Sequence, residues 1–472
     1  MNKIKATLLV FLGMMFFTSC EDFLDITPEG QVKRDELLST NDGVEDALYG
    51  AYAQLRSNAL YGQELYFSTL EIMSQTMYCY GNDAITALGN YDYSNTSVQD
   101  VFQGVWIEMY KNISNVNSIL NSPIVENAES FPATVYRGEA LALRAFMHFD
   151  LMRIFAEQYT VNPKADGIPY ATEFSLKTPD FESLEKNYAH VIADLTEAEQ
   201  LLANEEEYAG RTVFMTDRQI HLNLHAVRAL LARVYLTMGD KQKALEYAEQ
   251  VIATSNATLK AKTEVINDLA GVLSKKECLF GVYYANFFSQ VNSKLEQTTS
   301  YYSLTLRDDF MDMYEQNISG LDYRTTAYFS SVEIGGQAIH RLCKFTDIYE
   351  KENNASARPV DLIQGINLVR LPEMYYIAAE ALLDTDYDRA LSYYDAVVVS
   401  RGLEPLSASD TKLTQEIINT ERYKEYIGEG QTFFNMKRQN LNIASYDNKV
   451  TFTPADGIYV VPIPDIEKDN RN

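Results

Sequence analysis

The sequence predicts a mostly α-helical protein in which antiparallel helical hairpins pack against a second, less regular, loop-rich half. Two observations carry that prediction. Apolar residues recur at three- and four-residue spacing through several long stretches, as a helix with one buried face requires. Between them lie segments rich in Tyr, Phe, Thr and Ser without a sustained helical period, the clearest being residues 256–345.

The strongest helical stretch is 222–252. Val227, Leu230, Leu231, Val234, Tyr235 and Met238 form one stripe, Gly239-Asp240 makes a turn, and Ala244, Leu245, Ala248, Val251 and Ile252 form a second. Two amphipathic helices joined so tightly make an antiparallel hairpin. Leu231, Ala232, Tyr235, Gly239, Ala244 and Ala248 stand at the packing positions of a tetratricopeptide repeat, where small Ala residues permit close helix approach and Tyr fills the groove.

Weaker copies are expected at 374–398, with Ile377, Ala378 and Ala381 facing Ala390, Tyr394 and Val397, and at 137–155 paired with 188–202. The latter pair is split by an insertion carrying Pro163, Gly167, Pro169 and Pro179, and its first helix is so apolar that burial on most sides follows. A further pair joins 44–55 with 105–120. Four units are more reasonable than one, because an isolated repeat leaves an open apolar face. Residues 60–100 and 256–345 form the irregular part, and the tail Tyr459–Pro464 is extended because Pro462 and Pro464 exclude helix.

The N-terminus has another character. Lys3 and Lys5 precede the apolar run Leu8–Phe17, then Thr18-Ser19-Cys20, the layout of an export signal whose run is too short to span a bilayer comfortably. Cys20 at the cleavage position resembles a lipobox, and Glu21, Asp22 and Asp25 follow abruptly. The expected organisation is a signal peptide over 1–19, a lipidated Cys20 with an extended tether over 20–40, and a single domain over 41–472.

A hydrophobic content of 46% with 22% charged residues is globular. The net charge of −26 excludes nucleic acid as the expected partner, since a phosphate backbone must meet clustered Lys and Arg. Cys79, Cys278 and Cys343 are too widely spaced for a CxxC metal site and are expected as buried free thiols.

Several polar patterns invite a catalytic or metal reading. His221 and His225 share a helix face but lack the Glu of a metalloprotease motif and a third ligand nearby. Arg144 and His148, and Asp150 and Arg153, lie on so apolar a helix that mutual charge satisfaction is the better reading. Glu421, Glu425 and Glu429 recur every four residues, so one face cannot oppose two of them across a cleft; they are expected on a solvated or salt-bridged surface. No catalytic residue, metal or cofactor is expected.

The aromatics are more informative: 33 Tyr and 22 Phe against one Trp. Trp106 stands at helical spacing with Tyr110 and Ile113 and is expected in the core. Tyr78, Tyr80, Tyr91 and Tyr93, then Tyr283, Tyr284, Phe287, Phe288, Tyr301 and Tyr302, have no such periodicity. A flat ring covers the C–H face of a sugar while amide and carboxylate groups fix its hydroxyls. The expected ligand contacts are Tyr80, Asn82, Asp83, Tyr91, Tyr93, Tyr301 and Tyr302, with Asn82 and Asp83 placed after Gly81 in a turn.

Several of these segments together resemble the SusD/RagB family. The acidic Phe-Leu-Asp…Pro stretch after Cys20, the helix with Trp106, Tyr110, Ile113 and Asn117, and the long helix with Glu139, Arg144, Ala145, Phe149, Asp150, Leu151 and Arg153 are similar to the family's. So are the 225–240 hairpin, the late motifs with Glu429-Gly430 and Arg438, and the close after Val461. Leu371-Pro372, Thr432 and Asn435 depart from the usual residues, which weakens a structural salt-bridge network.

The resemblance implies four tetratricopeptide-like units packed on a less regular ligand-binding half, with ligand-binding aromatics in 78–93 and 283–302. It also implies a cell-surface lipoprotein, not an enzyme, held at the outer membrane by its lipid. Such a protein binds oligosaccharide and delivers it to a SusC-like TonB-dependent transporter. The alternatives are a peptide-binding member of the family, a secreted glycosidase on a helical scaffold, and a repeat protein that only scaffolds others.

Overall fold

The computed structural model describes residues 33–79, 81–261, 264–265, 273, 276–295, 304–315, 322–334, 337–345 and 363–469. Cys20, Tyr80, Tyr301 and Tyr302 lie outside the described residues. The described chain is mostly helical, and its long helices come in the expected pairs. Helix α1 (Asn41–Leu55) is followed by β1 (Met77–Tyr78), the short helix α2 (Asp83–Gly89) and the long helix α3 (Thr96–Leu120). Next come α4 (Phe131–Phe155) with α5 (Leu184–Leu202), and α6 (Leu224–Met238) with α7 (Lys241–Thr254). The late pair is α9 (Leu371–Leu382) and α10 (Tyr387–Ser400), followed by α11 (Gln415–Tyr426) and α12 (Gln431–Arg438).

Local chemistry starts most of these helices. Thr40, Asn82, Asn95, Ser183, Asn223, Asp240, Asp386 and Thr414 each accept a backbone N–H of the first turn. The α6–α7 turn is tight because Gly239, at φ +82°, ends one helix and Asp240 caps the next. Pro372 sits in the first turn of α9, where its missing N–H has no intrahelical role.

Helix α4 is the axis of the helical half. Every residue from Gly138 to Phe155 is buried, so its polar groups must find partners in neighbouring elements. Asp150 and Arg153 pair with each other as expected, and Asp150 also accepts from Tyr61 and Tyr66, both at 2.7 Å. The Arg144 and His148 side chains do not pair with each other, although His148 Nδ1 lies 2.9 Å from the Arg144 carbonyl. Arg144 makes a fork to Asp194 on α5 at 2.7 and 2.8 Å, and His148 Nε2 accepts the Ala171 N–H at 3.1 Å. The long insertion between α4 and α5 is thereby fastened to the helix it interrupts.

The irregular half contains short paired strands. β2 (Cys278–Tyr283) runs antiparallel to β6 (Gly365–Arg370), and β6, fully buried, continues straight into α9. β4 (Phe329–Ile334) and β5 (Gln337–Leu342) form a ribbon. Helix α8 (Phe287–Leu295) and strand β3 (Thr305–Leu306) lie in the same region. Two expectations need correction. The tether over 20–40 is not extended throughout, because Arg34–Leu37 forms a helical turn. Within the stretch expected to lack periodicity, Phe287, Val291 and Leu295 form the buried stripe of α8.

The tail is extended as expected, anchored by Tyr459 donating to the Leu441 carbonyl at 2.6 Å and Val461 N–H to that of Ile154 at 3.2 Å. Trp106 is core: its ring meets Tyr110 and Phe155 at centroid distances of 4.8 and 4.9 Å, and its Nε1 donates to Glu467. No helix among the described residues is long and apolar enough to cross a membrane.

Candidate functional site

Two aromatic-rich segments far apart in sequence become neighbours through one strand pair. β1 and β3 run antiparallel, with Met77 opposite Leu306 and Tyr78 opposite Thr305. This pairing places α2, which follows β1, beside α8 and Leu304, which precede β3. Between them lies a cleft of about 240 Å³. Its apolar floor is Ile72, Ile85, Leu88, Val98 and Leu304, and its polar groups include Glu64, Asn82, Ser97 and Lys294. Lys294 Nζ lies 2.6 Å from Glu64 Oε1, so the opposite charges offset one another at the wall.

Beside the strand pair, Tyr78 stacks on Tyr446 with ring centroids 4.2 Å apart and planes at 17°. The Tyr78 hydroxyl donates to Asp308 at 3.2 Å. Arg307 donates to Asp309 and, at 2.8 Å, to Asn448, whose amide donates back to Asp309 at 2.7 Å. The Arg307 bond, with Asn448, holds the Asp309 carboxyl below its ordinary value against partial burial. Tyr78 is itself buried, so the half-buried Tyr446 ring, beside oriented and partly exposed polar groups, is the one that suits a hydroxyl-rich ligand with an apolar face.

The expected contact residues divide. Asn82 lines the cleft, and its Oδ1 caps α2 by accepting the Ile85 N–H at 3.1 Å. Asp83 is exposed at the start of that helix. Tyr93 lines an adjoining depression of about 380 Å³ with Gln99, Phe102, Pro462 and Pro464, and its hydroxyl donates to the Ile458 carbonyl at 2.7 Å. Tyr91 turns inward. It is 8% exposed, packs edge-on to Phe452 and donates to the Met73 carbonyl at 2.5 Å, so it presents no open ring face. Lys294, Leu304, Arg307, Tyr446 and Asn448 were not foreseen. The only sequence signal for them is the charged triplet Arg307-Asp308-Asp309 inside a Tyr- and Thr-rich segment.

The carboxylates weighed for catalysis are structural. Glu421, Glu425 and Glu429 are not on a solvated surface: each is buried. Glu425 meets Arg401 and Arg370, Glu421 meets Arg324 and Lys424, and Glu429 meets Lys344 and Arg370. Burial alone would raise the Glu425 carboxyl, but Arg401 and Arg370 outweigh it and hold it well below the usual range. His221 and His225 diverge, the first 3.0 Å from Glu139 and the second 3.0 Å from Glu206. Among the described residues no cluster has the makings of a metal site.

Two family models match, one described as "Starch-binding associating with outer membrane" over residues 22–236 and one as "SusD family" over 245–464. The SusD-like protein P2 of Formosa agariphila is 24% identical over 515 residues, an alignment spanning 98% of this chain and 97% of that protein. A SusD superfamily protein from Bacteroides thetaiotaomicron has the same fold, with a TM-score of 0.74 and 24% identity over 91% of this chain and 98% of that one. A SusD-like carbohydrate binding protein from Bacteroides vulgatus gives a TM-score of 0.72 and 21% identity over 92% and 96% of the two chains. With both halves of the sequence matched in order by the two family models, and the same overall fold, the chain belongs to the SusD/RagB family.

Proposed function

We propose that this protein is a cell-surface lipoprotein that binds oligosaccharide and hands it to a SusC-like TonB-dependent transporter of the outer membrane. The observation that carries the reading is the meeting of the two aromatic-rich segments across β1 and β3, beside a cleft with an apolar floor and a charge-balanced wall. A neutral glycan matches that wall, since it brings no net charge to the Glu64–Lys294 pair. Asn82, Lys294 and Tyr446 are the proposed contacts among the described residues, with Asp83 and Tyr93 at the margins. Tyr80, Tyr301 and Tyr302 are retained as contacts because in sequence they adjoin Asn82 and Leu304.

The test is a calorimetric screen of neutral oligosaccharides, with oligopeptides as comparators, against the chain from residue 21 onward. A glycan is expected to bind saturably and be recovered unchanged. Asn82→Asp, which keeps the helix cap, Lys294→Ala and Tyr446→Ala should each weaken binding about tenfold or less, the effect of a contact near 1 kcal/mol. Tight binding of peptides alone, or hydrolysis of the glycan, would overturn the reading.

A further inference from the structure

Along the chain from Ile72, in the cleft floor, to Tyr78, in the aromatic stack, lies a turn at Ser74–Thr76 that is buried throughout. Gln75 stands there at φ +60°, in the left-handed region that residues other than Gly, Asn and Asp rarely adopt. Such a conformation persists where surrounding contacts fix it. Glu71, fully buried, accepts the Thr76 hydroxyl at 2.6 Å and the Gly430 N–H at 3.1 Å, which ties the turn to the α11–α12 junction. The Thr76 carbonyl accepts the N–H of Arg307, the residue after β3, at 3.0 Å.

The Gln75 side chain is engaged at both ends of its amide. Nε2 donates to the Gly89 carbonyl at 2.6 Å and to that of Ile72 at 3.3 Å, and Oε1 accepts the Tyr446 N–H at 3.1 Å. With two carbonyls at one end and an N–H at the other, only one orientation of the amide satisfies all three. The three partners belong to different parts of the site. Ile72 is in the cleft floor, Gly89 ends α2, whose Asn82, Ile85 and Leu88 line the cleft, and Tyr446 carries the half-buried ring. An apolar side chain would fill the same buried space. The amide adds three directed bonds, and their directions fix where the Tyr446 backbone stands relative to the cleft.

We infer that Gln75 is a positioning residue of the ligand site, holding the Tyr446 ring at the spacing from α2 that lets one ligand meet both. The inference rests on the glycan reading above and adds to its proposed contacts a buried residue that touches no ligand. It makes a specific demand. The contribution of Tyr446 to binding depends on Gln75, while that of Lys294, whose ion-pair partner is Glu64, does not.

Maltohexaose, cellohexaose, laminarihexaose and xylohexaose are titrated calorimetrically into the full chain and its Gln75→Leu and Gln75→Asn variants, each also combined with Tyr446→Ala or Lys294→Ala. Gln75→Leu keeps the bulk and loses the bonds. Gln75→Asn suits the left-handed backbone but is one methylene too short to bridge the three partners, so it serves should the Leu variant melt early. In the parent, Tyr446→Ala should weaken binding of the best of these sugars about tenfold or less, and each Gln75 variant alone by a similar factor. In either Gln75 background Tyr446→Ala should cost less than about twofold, whereas Lys294→Ala should keep its parental factor to within about twofold. Amide hydrogen exchange gives a readout without ligand: the Tyr446 N–H should exchange faster in both Gln75 variants while that of Val461, bonded to Ile154, is unchanged. The inference is overturned if Tyr446→Ala costs the same factor with and without Gln75, or if it costs nothing in the parent. It is equally overturned if Lys294→Ala also loses its effect in the Gln75 backgrounds, or if the Tyr446 N–H keeps its protection in both variants. Should none of the four sugars bind the parent while the variants release the Tyr446 N–H, the clamp stands and the glycan reading falls for these sugars.

Discussion

Glu139 shows how a single buried residue ties separate segments together. One carboxyl accepts from Tyr52 of α1 at 2.6 Å, lies 3.0 Å from His221 before α6, and pairs with Arg218 at 2.6 Å. Burial raises its pKa, but Arg218 and His221 outweigh that and hold it at about 2. A carboxyl depressed in the folded state adds stability above its unfolded value, and that contribution fades as pH falls toward the folded one. Glu139→Gln leaves Arg218 short of a charge partner and should cost about 3–5 kcal/mol near neutral pH. In urea denaturation the gap between variant and parent should be widest near neutrality and shrink as pH falls from about 4 toward about 2. A gap independent of pH would show that the carboxylate charge is not what holds these segments. Asn435, where the family pattern expects an acid, keeps its place by accepting from Arg438 at 3.1 Å, while Glu380 supplies the charge.

At the scale of elements, the α6–α7 hairpin rests on small residues. Ala232, Ala244 and Ala248 are all fully buried, as the repeat spacing predicts for a close helix crossing. Ala244→Leu would overpack that crossing and should cost about 1–3 kcal/mol, read as a lower melting temperature. An unchanged melting curve would mean the crossing has room the structure does not show. The α11–α12 junction depends on a different kind of close approach. Gly430, at φ +68°, would place a Cβ only 2.7 Å from the Tyr66 ring, and its N–H donates to Glu71 at 3.1 Å. Burial raises the Glu71 carboxyl to about 7 despite its bonds from Thr76 and Gly430. Helix α8 is not legible in the sequence, because nine residues offer only about two and a half turns of periodicity inside an aromatic-rich stretch.

At the scale of the whole molecule, the proposed role in uptake rests on a lipid anchor at Cys20 and on a separate channel. Cys20→Ala is expected to release the protein from the membrane fraction of its native host, whereas the parent N-terminus should carry lipid. Retention of the variant together with an unmodified parent would remove the anchor from the proposal. Extraction in mild detergent should recover the parent with a large β-barrel transporter, and recovery only as a free monomer under conditions that preserve such complexes would count against delivery.

The helical pairs, the buried character of α4, the core position of Trp106 and the family itself were legible in the sequence. Each is written in local periodicity, capping residues and motif order, which do not require knowing what lies across the fold. Tertiary structure alone decided that Met77–Tyr78 pairs with Thr305–Leu306, because short strands carry little register information and their partners lie far along the chain. It also turned Tyr91 inward, its position after α2 being set by Met73 and Phe452 rather than by its neighbours in sequence. Glu421, Glu425 and Glu429 read as a solvated or salt-bridged surface; they are salt-bridged but buried, because Arg324, Lys344, Arg370 and Arg401 reach them from other elements. Local spacing determines which residues share a face; what that face meets is decided only when distant segments supply the compensating charge.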